Sequence, residues 1–281
     1  MSTMQHVRLA IVDYANTYPL AWGFRTGRFP GAEPVYCTPA QCARLLEAGE
    51  VAAGLIPSIT YHRIPGLHVV DGLGIAADGP ARSVCCFTRG DLSAARRIWV
   101  DAASRTSVAL LKLLLAEAGN HQAELIATDR PLAALEETGD AALVIGDQAL
   151  GADPAGLRVI DLGAAWTAAT GLPFVFALWA VREAALPPAA LAWFQASYRH
   201  GLADWDRMAA AARERAGVSA PVIRAYLGTN IRYELGPREW RGLRTFFERA
   251  AAGGLLDHRE PIRVLAPQET AARSAAHRAG D

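Results

Sequence analysis

Short apolar runs alternate with amphipathic stretches for most of this chain. Residues 7–13 are almost continuously apolar, as in a strand buried on both faces of a parallel sheet. Thr38-Pro39 marks a helix start, with Thr as N-cap and Pro at the first helical position. Leu45 and Leu46 fall on the apolar face of 41–48, and Gly49 suits its C-cap. Strand-like runs follow at 51–56, 69–70, 75–77 and 84–88, with Pro57-Ser58 opening a short helix after the first. A second series has strands at 98–100, 125–128, 141–145, 158–161 and 175–180, and a helix over 108–118. From Pro187 onward the pattern turns helical: 189–216, 221–227, and 237–252 closed by Gly253-Gly254.

Two strand–helix blocks followed by terminal helices predict an α/β protein of two lobes, the terminal helices packing back on the first. The expected division is 1–89 for the first part of lobe 1, 90–180 for lobe 2, 181–265 for the return to lobe 1, and 266–281 as a frayed tail. Ligands of open parallel sheets bind outside the carboxyl ends of the strands. In a two-lobed protein those ends meet at the cleft.

Composition narrows the function classes. The chain has 281 residues, with 28 Lys+Arg against 28 Asp+Glu, so net charge makes no case for nucleic acid or an anionic membrane. Lys112 is the single lysine and lies in a Leu-rich helical stretch, which leaves little room for Schiff-base chemistry. No apolar stretch is long enough for a membrane span. The opening Met1-Ser2-Thr3-Met4-Gln5-His6 lacks the features of an export signal, so a cytoplasmic protein is expected. Cys37, Cys42, Cys85 and Cys86 have no zinc-ligand spacing and read as free or buried thiols. Nucleotide-binding fingerprints and the serine-hydrolase elbow are missing. No metal site is expected.

Five polar segments could carry chemistry. Asn16 stands where the first strand ends; its amide can donate and accept, though Asn also favours turns and caps. Ser58 follows the third strand, either as a cap or as part of a carboxylate site. Ala77-Asp78-Gly79-Pro80-Ala81-Arg82-Ser83-Val84 is a turn-rich insert in which Arg82 could pair with a carboxylate and Ser83 could hydrogen-bond a ligand. Ser104-Arg105-Thr106-Ser107 gathers three hydroxyls and a guanidinium at a helix start, where backbone N–H groups and the dipole favour an anion. Gly146-Asp147 ends a strand, with Asp147 capping the next helix or meeting a ligand hydroxyl. Phe174 and Phe176 are core rings first and cleft rings second.

These segments, with 13–20, 54–59, 161–177 and Ile231-Arg232-Tyr233-Glu234-Leu235-Gly236, run in the order found in the chorismate dehydratases of the futalosine route to menaquinone, and the chain resembles that family. The resemblance covers about residues 7 to 256. It implies a periplasmic-binding-protein-like fold of type II, and conversion of chorismate to 3-[(1-carboxyvinyl)oxy]benzoate and water without metal or organic cofactor. It implies Asn16 and Ser83 near the reacting ring, with Ser58, Ser104, Thr106, Ser107, Gly146 and Asp147 binding the substrate. Asn16 cannot serve as a general base, so the expected base is the substrate's own enolpyruvyl carboxylate, with Asp147 the alternative. Two other readings stay open: a non-catalytic binding protein for small carboxylates, and the later enzyme of the same route that acts on cyclic dehypoxanthine futalosine.

Overall fold

The computed structural model describes residues 6–154, 156–257 and 260–266. The tail expected to fray lies, from residue 267 on, outside the described residues. In chain order the elements are β1 (Val7–Val12), α1 (Tyr18–Arg25), β2 (Ala32–Cys37), α2 (Pro39–Glu47), β3 (Ala53–Pro57), β4 (His68–Ala77), β5 (Val84–Thr88), β6 (Arg97–Asp101), α3 (Thr106–Glu117), β7 (Glu124–Thr128), α4 (Pro131–Glu137), β8 (Ala141–Ile145), α5 (Gly146–Gly151), β9 (Arg158–Asp161), α6 (Leu162–Thr170), β10 (Phe174–Val181), α7 (Leu191–Ala203), α8 (Trp205–Ala216), α9 (Ala220–Ala225), β11 (Arg232–Glu234), α10 (Pro237–Ala252) and β12 (Val264–Leu265).

The apolar runs become the inner strands of two sheets. The first has seven strands in the order β11-β4-β10-β3-β1-β2, with β12 also on β4; the second has five, in the order β7-β6-β8-β5-β9. β1 pairs in parallel with β2 and β3, and β6 with β7 and β8. β3 and β8 are buried at every residue, as their unbroken apolar runs require of strands covered on both faces.

Sheet membership moves the lobe changeovers. β5 pairs with β8 and β9 in the second sheet, and β10 pairs with β3 and β4 in the first. The chain therefore crosses between sheets at 78–83 and at 162–173, not after 89 and 180. Each boundary strand reads as apolar in either sheet, and only its pairing partners decide where it belongs.

Local signals explain most element ends. Thr38 Oγ1 accepts from Gln41 N–H and Gln41 Oε1 accepts from Thr38 N–H, a complete capping box at α2. Gly49, at φ +71°, closes that helix, with Glu50 N–H donating to Leu45 O at 3.0 Å and Gly49 N–H to Leu46 O at 3.2 Å. The runs 69–70 and 75–77 are one strand, β4, interrupted at Gly72 with φ +71°. The single helix expected over 189–216 is two. It breaks at Asp204, whose carboxylate accepts from Trp22 Nε1 at 2.8 Å. That break turns α8 back toward the 3-10 turn at Ala15–Thr17 and toward α5.

Candidate functional site

A cavity of about 70 Å³ opens where the carboxyl ends of β1, β3, β6 and β8 converge. Six of the eight residues singled out line it: Asn16, Ser83, Ser104, Thr106, Ser107 and Gly146. Tyr14, Arg105 and the apolar side chains of Val12, Leu55, Phe176 and Ile231 also line it. Phe176 therefore faces the cleft, whereas Phe174 is fully buried among Trp166, Phe176 and Phe246.

Asn16 is aimed by its backbone. It sits in the 3-10 turn Ala15–Thr17, which Thr17 braces by donating its Oγ1 proton toward Val12 O and Tyr14 O, both at 2.8 Å. Asn16 Oδ1 is buried and has no hydrogen-bond partner. A buried amide oxygen left unpaired costs free energy, and at a cavity wall that cost is relieved by a ligand donor.

Ser83 is held by the first crossing. Arg82 adopts φ +62°, a left-handed conformation uncommon for a side chain of this size. The turn is fixed because Ala81 and Arg82 N–H donate to the Asp161 carboxylate at 3.0 and 2.6 Å. The same carboxylate caps α6 through Ala164 N–H at 3.0 Å. Ser83 O then accepts from Gly146 N–H at 2.8 Å, which ties the first crossing to the start of α5. Arg82 itself is exposed and does not line the cavity, whereas Arg105 does.

The hydroxyl cluster behaves differently from a capping motif. Arg105 is the N-cap residue of α3, and no side chain caps it. Thr106 Oγ1 accepts from Ile59 N–H at 3.2 Å. Ser104 Oγ is buried without a partner. The first turn of α3 therefore offers free N–H groups, Ser104, Ser107 and Arg105 to one region of the cavity, which suits a carboxylate.

Two expected positions fall elsewhere. Ser58 is neither a cap nor part of the cavity wall. It is fully buried behind Thr106 and donates to Val175 O at 2.8 Å. Asp147 lies in the first turn of α5 but caps nothing there, and it also lies off the cavity wall. Its Oδ1 accepts from Ala15 N–H at 2.9 Å, across the cleft, and its Oδ2 faces Arg215 Nε at 3.7 Å. Strand-end position alone could not tell which way that carboxylate turns.

The sequence reading also passed over Tyr226. This residue starts a π turn, Tyr226–Asn230, that follows α9, and its buried hydroxyl interacts with Ser83 and Asn16. Single π turns recur at functional sites. The run Pro221-Val222-Ile223-Arg224-Ala225-Tyr226-Leu227 reads as an ordinary helix, so the signal was absent from the pattern. Burial raises the Tyr226 hydroxyl above its usual range and keeps it protonated. Tyr14 is raised likewise, by burial first and by the charges of Asp101 and Asp147 next. Burial also raises the Asp101 and Asp147 carboxyls. Among the residues lining the cavity, Arg105 carries the one formal charge.

The four cysteines are free thiols, and burial pushes Cys85 and Cys86 up to about 12. Among the described residues no group of three His, Cys, Asp or Glu could hold a metal ion, and no helix is long and apolar enough to cross a membrane.

Comparison with solved structures places this architecture. A crystal structure of an Archaeoglobus fulgidus protein superposes with a TM-score of 0.77 at 19% identity, over 91% of this chain and 100% of the other. The periplasmic aliphatic sulphonate binding protein of Escherichia coli superposes with a TM-score of 0.67 at 16% identity, over 94% of this chain and 92% of the other. At such identities the likeness establishes the fold, which is periplasmic-binding-protein-like. In sequence, a chorismate dehydratase of Thermus thermophilus is 34% identical over 261 residues, 85% of this chain and 93% of the relative. Residues 7–252 match a family described as menaquinone biosynthesis. With its site segments gathered at one interlobe cavity and this match along most of its length, the chain belongs to the menaquinone biosynthesis family.

Proposed function

We propose that this protein is a chorismate dehydratase, a hydro-lyase that converts chorismate to 3-[(1-carboxyvinyl)oxy]benzoate and water in the cytoplasm. The observation that carries the reading is the cavity wall. Buried, unpartnered Asn16 Oδ1 and Ser104 Oγ face a largely apolar pocket, in a chain 34% identical to a chorismate dehydratase.

Chorismate is a dianion built on a cyclohexadiene ring. Its ring suits the slot between Leu55, Phe176 and Ile231. One carboxylate suits the α3 N-terminus with Ser104, Ser107 and Arg105. Asn16 and Ser83 then flank the reacting carbons. The C–H bond on the ether-bearing ring carbon breaks, and its electron pair delocalises into the vinylogous ring carboxylate. That pair then expels the neighbouring hydroxyl and completes the aromatic ring. The proton goes first to the enolpyruvyl carboxylate and then to the departing hydroxide, so one water leaves and that carboxylate is regenerated. Asn16 Oδ1 accepts from the ring hydroxyl and so orients the group that leaves. Ser83, backed by the protonated Tyr226 hydroxyl, donates toward the leaving oxygen. Donors fixed in place before reaction are effective because they need no reorganisation.

The test is direct. Purified protein is incubated with chorismate and the products are separated by liquid chromatography with mass detection. The expected product is lighter than chorismate by one water, forms faster than in a protein-free control, and forms at the same rate with chelator present. Intact chorismate recovered from folded protein would overturn the reading in favour of a carboxylate-binding protein.

A further inference from the structure

Asp147 and the helix α8 supply a part of the machinery that the reaction outlined above leaves unused. Asp147 belongs to the second lobe, at the start of α5 after β8. Its Oδ1 accepts from Ala15 N–H of the first lobe at 2.9 Å. Ala15 begins the 3-10 turn that carries Asn16, and Tyr14, its N-cap residue, makes no side-chain cap. The missing cap is therefore supplied in trans, from across the cleft.

A second group grips the same segment. Arg215, near the end of α8, donates its Nε–H to Asp13 O at 2.9 Å, and that nitrogen lies 3.4 Å from Asp13 Oδ2 and 3.7 Å from Asp147 Oδ2. Asp13 Oδ1 accepts from Arg25 Nη2 at 2.7 Å, and the Arg25 guanidinium is sandwiched between the Tyr18 and Tyr36 rings at 3.9 and 4.1 Å. Residues 13 to 15 are thus held from the first lobe by Arg25 and Arg215, and from the second by Asp147. Asp147 Oδ2 has no hydrogen bond and does not face the cavity, so the carboxylate is not placed to meet substrate.

We infer that Asp147 and Arg215 are positioning residues for Asn16. Asp147 caps the Asn16 turn only when the lobes are closed, Arg215 holds Asp147 on it, and the pair couples lobe closure to the aim of the Asn16 amide. The inference rests on the proposed role of Asn16 beside the reacting ring. It sets aside both roles that the sequence reading gave Asp147, substrate contact and base.

Three variants test it: Asp147→Ala, Asp147→Asn and Arg215→Met. Each is assayed for kcat and KM with chorismate, and by small-angle scattering without ligand. Misplacing a reacting group by about 1 Å costs about a hundredfold in rate. Asp147→Ala is therefore expected to lower kcat by about that factor, with KM within about threefold and an enlarged radius of gyration. Asparagine keeps an oxygen for Ala15 N–H, so Asp147→Asn recovers most of kcat. Arg215→Met falls between them. If Asn is as inactive as Ala, Asp147 takes the proton and the inference is overturned. A rise in KM without loss of kcat makes it a substrate contact and overturns it equally. Should Asp147→Ala not fold, Asp147→Asn and Arg215→Met carry the same kinetic test. Wild-type protein that leaves chorismate intact would refute the function proposed above. Scattering then judges the clamp alone: expansion in Ala but not in Asn sustains it, and no expansion overturns it.

Discussion

Replacing Gly146 by alanine probes the closed cleft at its tightest point. Gly146 has φ +63°, and a Cβ there would lie 2.7, 2.8 and 2.9 Å from three ring atoms of Tyr14. Two costs follow. A non-glycine residue in the left-handed region costs about 1–2 kcal/mol, whatever the lobes do. Overpacking against a ring costs about 1–3 kcal/mol. Gly146 follows β8 in the second sheet and Tyr14 follows β1 in the first, so the second cost is relieved if the cleft opens. The two terms therefore divide between two measurements. Thermal stability should reflect the backbone term alone, a fall of a few degrees for a chain of this size, at about 2–4 °C per kcal/mol. kcat/KM with chorismate should reflect the packing term, a loss of about 5- to 150-fold at about 1.4 kcal/mol per tenfold. The assay pairs initial rates with melting by circular dichroism, and small-angle scattering should show a more open particle. A variant with kcat/KM within twofold of wild type would refute the reasoning, since Tyr14 and Gly146 would then not meet in the active form. So would a melting temperature lowered by both terms together, because that places the clash inside one rigid unit.

Asn16→Ala should lower kcat by at least about a hundredfold while costing no more stability than its one neutral contact with the Tyr226 hydroxyl, about 0.5–1.5 kcal/mol; near-normal turnover would remove Asn16 from the reaction. Ser104→Ala should raise KM by about ten- to 150-fold, as expected for a hydrogen bond to a charged group of about 1.5–3 kcal/mol, without loss of stability, since Ser104 Oγ is unpartnered. An unchanged KM would move the carboxylate away from this end of α3. Asp101→Asn is a stability test. Burial raises the Asp101 carboxyl above its unfolded value, so its contribution to stability is full at low pH and is lost as pH rises through its folded value. Asparagine keeps an acceptor for Ala103 N–H, which Asp101 Oδ1 meets at 2.8 Å. The variant should match wild type in acid and melt higher above the ordinary carboxylate range. A difference in melting temperature that does not change with pH would contradict the burial argument.

Patterns local in sequence were legible. The start of α2 at Thr38-Pro39, the buried strand β8 and the polar start of α3 each rest on a few adjacent residues, and each was found where it was expected. β2 escaped notice because Pro34 lies within it; the strand tolerates proline at the sheet edge, where one side needs no donor. The break between α7 and α8 falls where Trp22 meets Asp204, and the π turn ends at Asn230, whose Nδ2 donates to Pro80 O of the first crossing at 3.1 Å; contacts so distant in sequence are not written in helical periodicity. The polar segments of the site were visible as candidates, and the family resemblance chose among them. Which side chains turn inward was not visible, because that depends on partners distant in sequence. Ser58 is taken up by Val175 O, and Asp147 by Ala15 N–H, 132 residues away.

The direction in which the acids turn has a consequence for chemistry. Three carboxylates stand near the carboxyl ends of the inner strands, and each is engaged away from the cavity. Asp13 pairs with Arg25 and Arg215, Asp101 accepts from Ala103 N–H, and Asp147 accepts from Ala15 N–H. A dianionic substrate requires this, since like charges a few ångströms apart in a site shielded from water would repel it strongly. The same arrangement removes each carboxylate from use as a base. A protein that keeps its own acids off the wall must then find the proton acceptor in the substrate. The enolpyruvyl carboxylate is tethered through the ether oxygen and one vinyl carbon to the ring carbon that loses its proton, so its effective concentration there owes little to the protein. Well-oriented intramolecular groups of this kind can lower a barrier by about 7–11 kcal/mol. What remains for the chain is orientation: Asn16 held by a turn that closes only with the lobes, and Ser83 held by a strained crossing that Asp161 clamps. On this argument a binding-protein fold needs no titrating residue in its cavity to become a lyase, only a cleft that closes on one conformer of its ligand.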